Sequence, residues 1–229
     1  MPIVSISNLI SGLIFGIVSL KLYFSYRKTK DEKIRDFFLA FLFLTLSLLL
    51  LATPGLVFTN LKIIGLIFAF YPFFVFLGFA YLGIIPLKIL SWLKIQKIFF
   101  WGIIIIGVLI TVFSIINWKP AVFYSQDPFV YWEDTRGVIL NTIIGGFFGL
   151  GILLVMIFFF LQGIKSEDKY IRRRAFIIIG GLMILMLMGL INFVFGASPQ
   201  QYLTSVIASF LGISAGLIII FSIFYKRKK

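Results

Sequence analysis

Hydrophobic positions in this chain gather into seven long runs, separated by short polar stretches, with no two-residue alternation inside them. The runs span about 4–26, 36–53, 61–85, 98–117, 137–161, 175–195 and 203–225. A hydrocarbon core of roughly 30 Å is crossed by about 20 helical residues, so each run predicts a transmembrane helix. The second run is the shortest. Lipid leaves an unpaired backbone group without a partner, which allows only helices or a closed barrel. Runs apolar throughout, and too long for alternating strands, predict helices. The expected fold is all-α: one polytopic domain over residues 1–229 with seven transmembrane helices.

Charge then orients the helices. Lys21, Arg27 to Arg35, Lys88 to Lys97, Lys165 to Arg174 and the tail Lys226 to Lys229 fall on one side, which with the adjoining Asp36 has 18 basic and 5 acidic residues. The other side carries 3 basic residues, Lys62, Lys119 and Arg136, and 3 acidic ones. The first side therefore accounts for the whole net charge of +13. By the positive-inside bias this predicts the N-terminus outside and the C-terminus cytoplasmic, in a prokaryotic-type cell membrane. The first run has Lys21, Arg27 and Lys28 after it rather than basic residues before it, which predicts a retained helix rather than a cleaved leader.

Composition narrows the function classes. With 61% hydrophobic residues and 29 Phe, the chain is no soluble domain, and its charge is membrane orientation rather than a nucleic-acid interface. Histidine and cysteine are absent, which removes disulfides, thiolate metal sites, bis-histidine haem and cysteine nucleophiles from this chain. No lysine lies between 203 and 225, against a Schiff-base retinal protein. No Asp, Glu, Lys or Arg is expected at mid-depth, and no acid–base pair is expected within the helices. The expectation is a protein that is not an enzyme and needs no metal or cofactor.

Small residues predict close helix contacts. Gly12 and Gly16, Gly145 and Gly149, and Gly212 and Gly216 are each four apart. Pro72, deep in the third run, predicts a kink or break. Displacing the chain by 137 residues brings Gly12 onto Gly149, Lys28 onto Lys165, Asp31 onto Asp168, Ile34 onto Ile171 and Arg35 onto Arg172. Such a shift describes parallel repeats over 4–85 and 137–225, with 98–117 as linker helix. Any two charged loops between apolar helices would also align a little.

Candidate chemistry concentrates on the outer side. The 118–136 segment holds Trp118, Phe123, Tyr124, Phe129, Tyr131, Trp132, Glu133, Asp134 and Arg136. Its Asp127-Pro128 pair predicts an N-cap and first turn of a short surface helix. Aromatic residues at that depth form an interfacial belt; they also suit a lid over an outward-facing cavity. Asn117, Asn141 and Asn192 lie at similar depth, as interhelical glue or as the polar wall of a pocket. The expected cavity opens outside, between the outer ends of helices 4–7 and beneath 118–136. Ligand contacts would come from Asn117, Trp118, Tyr131, Trp132, Glu133, Asp134, Arg136, Asn141 and Asn192. On the basic side, Lys165, Lys169, Arg172, Arg173 and Arg174 serve orientation, and also suit anionic lipid or an acidic partner.

The seven-crossing plan, the charged loop into Tyr170-Ile171-Arg172-Arg173-Arg174 and Asn192 in the next helix resemble the membrane region of prokaryotic seven-helix sensor proteins, such as certain histidine kinases. That resemblance implies an outward-looking receptor that passes a helix displacement inward. The sequence closes at Lys226-Arg227-Lys228-Lys229, so a sensor here would act through a separate protein partner. The three-plus-one-plus-three plan also resembles SWEET-type transporters. It departs from them in lacking proline in three of the four hinging helices and asparagine in helices 3 and 7. A facilitative small-solute transporter and a structural subunit of a larger membrane complex are thus the alternatives. Helices 2 and 3 are almost wholly apolar, so no continuous polar passage across the membrane is expected. Expected partners are membrane lipids, a small molecule and a separate protein.

Overall fold

The computed structural model describes residues 2–89, 91–126, 129–133, 138–194 and 201–224. Seven helices are present among the described residues: α1 (Ile3–Thr29), α2 (Glu32–Ala52), α3 (Leu61–Ile89), α4 (Leu93–Ile116), α5 (Val138–Lys165), α6 (Lys169–Val194) and α7 (Gln201–Phe224). Two strands, β1 (Val122–Gln126) and β2 (Phe129–Glu133), lie between α4 and α5. The chain is an all-α, polytopic membrane protein. Among the described residues six helices are long and apolar enough to cross a bilayer, and in α7 the described apolar stretch is the shorter Val206–Ser222.

Local chemistry sets the helix ends. Asp31 precedes α2, and its carboxylate accepts the Lys33 N–H at 2.8 Å, so the helix starts four residues before the apolar run does. Asp168 does the same for α6, accepting the Tyr170 N–H at 2.8 Å. These two caps are the pair that the 137-residue displacement superposes. The α1 helix stops at Lys30, whose left-handed φ of 55° lets its N–H reach the Tyr26 carbonyl. Pro72 and Pro86 both lie inside α3, which runs on through them. Pro72 is buried against its neighbours.

The 118–136 segment corrects the expected surface helix. Residues 122–126 and 129–133 pair as an antiparallel hairpin, with Phe123 opposite Trp132 and Tyr124 opposite Tyr131. Val122, Phe123, Tyr124, Val130, Tyr131 and Trp132 are β-branched or aromatic, and this propensity outweighs the Asp-Pro capping signal. Asp127 and Pro128 themselves lie outside the described residues.

Six helices close a ring in the order α1, α2, α3, α5, α6, α7, with α7 returning to α1. It consists of two arcs, α1–α3 and α5–α7, which meet along two seams, α3 with α5 and α7 with α1. The fourth helix stands outside, packed on α3, where its Ile110 joins Phe76 of α3 and Ile144 of α5 in a small apolar cluster. The main core lies inside the ring: Phe15, Phe41, Phe79, Phe148, Ile152, Leu185 and Ile219 are among its members. Outward-facing residues such as Leu13, Ile17, Leu20 and Phe24 of α1 are large, apolar and exposed, as a lipid-facing stripe must be.

Without a hydrophobic drive between helices in lipid, close fit holds them together. Here phenylalanine rings enter the space that glycines leave. A Cβ on Gly107 would meet Phe76 at 2.5 Å, one on Gly151 would meet Phe79 at 2.9 Å, and one on Gly189 would meet Phe148 at 2.5 Å. Phe79 and Phe148 also touch edge to face across the α3–α5 seam, 4.9 Å between centroids. Of the glycines singled out in the sequence, Gly12 faces Leu49, Gly16 faces Thr45, Gly212 faces Met188 and Gly216 faces Ile14. Gly149 opens onto empty space.

Candidate functional site

Polar and charged groups inside a helix ring are costly in lipid, so where they occur is informative. The first site is an ionic cluster between α2 and α3 at the basic end. Asp36 is fully buried, and both its oxygens are engaged. Lys88 Nζ donates to Oδ2. Arg35 donates to Oδ1 at 3.2 Å. Lys88 also meets Glu32 at 3.3 Å, and Arg35 lies 3.9 Å from Glu32. Two carboxylates and two cations therefore neutralise one another. Asp36 and Lys88 were not singled out in the sequence. Their only signal was a carboxylate at the first position of an apolar run, next to Arg35, and a lysine just past Pro86.

The second site is a cavity of about 510 Å³ enclosed by the ring and lined by α1, α2, α3, α5, α6 and α7. Its depth is apolar, with Phe15, Phe41, Leu182, Leu185 and Ile219 among the lining side chains. Its polar lining lies at the basic end: Lys21 and Ser25 of α1, Lys33 of α2, Gln162 of α5, and Tyr170 and Arg174 of α6. Among the described residues no acidic side chain lines it. Arg174 Nε is buried, with no hydrogen-bond partner among the described residues. The cavity is at the end opposite the one where the sequence suggested a pocket, and α4 takes no part in it.

At the other end of the ring, hydrogen bonds tie α1, the α2–α3 connection and the approach to the hairpin together. Ser5 Oγ donates to the Pro54 carbonyl, and Asn8 Nδ2 donates to that of Leu51 at 3.3 Å. The Ala121 N–H binds the Leu61 carbonyl at 3.0 Å, which ties the hairpin's approach to the start of α3. Trp132 lies against Gly55, whose φ of +73° and missing side chain let the indole reach the backbone.

The residues singled out on that side are spread among different settings. Asn117 is exposed and donates to the Phe113 carbonyl of its own helix at 2.9 Å. Trp118 is half-buried, and Trp132 packs 5.7 Å from the Phe123 ring. Asn141 is half-buried, with an Oδ1 that finds no partner among the described residues. Tyr131, Glu133 and Asn192 lie on described backbone but their side chains are outside the described residues, as are Asp134 and Arg136 entirely. On the basic side Lys165, Lys169, Arg172 and Arg173 are exposed, whereas Arg174 turns to the cavity. No known family model matches the chain, and no curated protein matches it.

Proposed function

We propose that this chain is a non-enzymatic, receptor-like membrane protein that admits a small molecule into the chamber of its helix ring and acts through a separate partner. The observation that supports this reading is the chamber itself, apolar in depth and polar at one end. With the basic side cytoplasmic, as the 18-to-3 partition of basic residues favours, the ligand enters from the inner leaflet or the cytoplasm. Occupancy would change the fit between the two arcs and so the loops that a partner meets. The test is purification from native membranes and identification of what is retained. A co-purifying small molecule, displaced when the chamber is filled by Leu182→Trp, is the expected result; a preparation that holds none refutes the reading.

A facilitative carrier is the second reading, favoured by the two arcs with α4 standing outside them. Its substrate would cross by rocking one arc on the other. Solute flux into liposomes holding only this protein would establish it and displace the receptor reading.

A further inference from the structure

We infer that the chamber holds a single-chain anionic amphiphile, with its headgroup between Lys33 and Arg174 and its tail in the apolar depth; this rests on the chamber being a ligand site. Three features converge on that chemistry. The first is charge. Lys21, Lys33 and Arg174 come to the polar end from three different helices, and among the described residues no acidic side chain lines the cavity. The acidic side chains nearest to Lys33 in its own helix, Glu32 and Asp36, are taken by Lys88 and Arg35. Lys33 and Arg174 have no ion-pair partner among the described residues.

The second feature is shape. Tyr170, Arg174, Ile178, Leu182 and Leu185 line the chamber at successive turns of one face of α6. At about 1.5 Å per residue that face runs roughly 22 Å. A volume of about 510 Å³ drawn out over such a length is a slot, and it falls within the range of small-molecule sites. The third feature is the gradient. Cations and hydrogen-bonding groups (Gln162, Tyr170, Ser25) gather at one end and Phe15, Phe41 and Leu185 at the other. A compact polar solute would leave its hydrogen bonds unmet in the depth, and a plain hydrocarbon would leave the cations unanswered. A fatty carboxylate or a single-chain phosphate answers both ends.

The experiment uses the full-length protein in uncharged maltoside and radiolabelled hexadecanoate. Competitors are hexadecanol, hexadecyltrimethylammonium and a hexadecyl phosphate. Charged hydrogen bonds predict that the anions bind about tenfold or more tighter than the alcohol. Arg174→Gln and Lys33→Gln should each remove most of that preference while leaving the alcohol's affinity unchanged. Lys33 is exposed, so its variant carries the test if Arg174→Gln does not fold. Leu182→Trp should abolish binding of every amphiphile. Carboxylate ahead of phosphate assigns a free fatty acid; the reverse assigns a lysolipid-type headgroup. Equal affinity for acid and alcohol, tighter binding of the cation, or binding that survives Leu182→Trp overturns the inference. A polar molecule retained from native membranes, with no amphiphile bound, would overturn it while leaving the chamber a ligand site.

Discussion

Replacing Lys88 by Met is the sharpest test of the ionic cluster. Met matches the lysine stem in length and packing but leaves the charge of Asp36 with Arg35 alone. Asp36 is 1% exposed and Lys88 14%, whereas Glu32 is 68% exposed. The Asp36 contacts therefore dominate. At an effective dielectric of about 20, two charges 3.2 Å apart, as Arg35 and Asp36 are, attract by roughly 5 kcal/mol before desolvation. Breaking a buried pair by removing one partner costs about 3–5 kcal/mol. Because Arg35 remains on Oδ1, the expected loss is at the lower end, about 3 kcal/mol. In a chain of this size that lowers Tm by roughly 6–12 °C. The double variant Asp36→Leu with Lys88→Met removes both charges and should recover most of the loss, since an apolar replacement of a buried pair is often neutral. Thermal unfolding in detergent, followed by intrinsic fluorescence, measures all three proteins. A Lys88→Met protein within about 2 °C of wild type, or a double variant less stable than the single one, would show that Asp36 is not a buried, paired charge.

Steric fit at the glycine seams makes a second prediction: Gly107→Leu and Gly189→Leu should each cost about 1–3 kcal/mol by driving into Phe76 and Phe148. Gly149→Ala, which meets open space, should be neutral or stabilising by up to about 1 kcal/mol, and equal Tm values for the three would contradict the ring-into-glycine packing. Asp31→Ala and Asp168→Ala should each cost about 1 kcal/mol through loss of a helix cap, measured as faster amide exchange in the first turns of α2 and α6. In intact cells a cysteine introduced at position 126 of this cysteine-free chain should react with an impermeant maleimide and one at 167 should not; the reverse pattern would invert the orientation.

Helix positions were legible because seven apolar runs in a row leave few other ways to satisfy the backbone. Helix faces were not. A transmembrane helix is apolar toward lipid and toward the core alike, so α4, almost wholly apolar from Ile98 to Ile116, carries no mark that it stands outside the ring. The same blindness hid the chamber, whose apolar lining residues Phe41 and Leu185 look in sequence like any other core position. Asp36 was passed over because it sits at the margin of its run, where a charge normally reaches water; only the approach of Lys88 from α3 makes it buried. The hairpin was missed because Asp-Pro serves turns as well as helix caps, and the alternating aromatics on either side decided between them. The basic cluster at 165–174 was visible as a patch, but not that Arg174 alone would turn inward.

The ionic cluster has a consequence for biogenesis. All four of its members lie between Glu32 and Lys88, inside the first arc. As the chain leaves the ribosome, α2 brings a carboxylate that the bilayer interior would tolerate poorly, and α3 delivers its counter-ion before any later helix exists. The first arc can thus enter the membrane already neutralised, with no buried charge waiting for a distant partner. Ring closure falls instead to α7, which must find α1 last and meets it through Gly212 and Gly216 against Ser11 and Ile14. Charge pairing in this cluster is thus local and early, while the fit of small residues joins helices far apart in the chain.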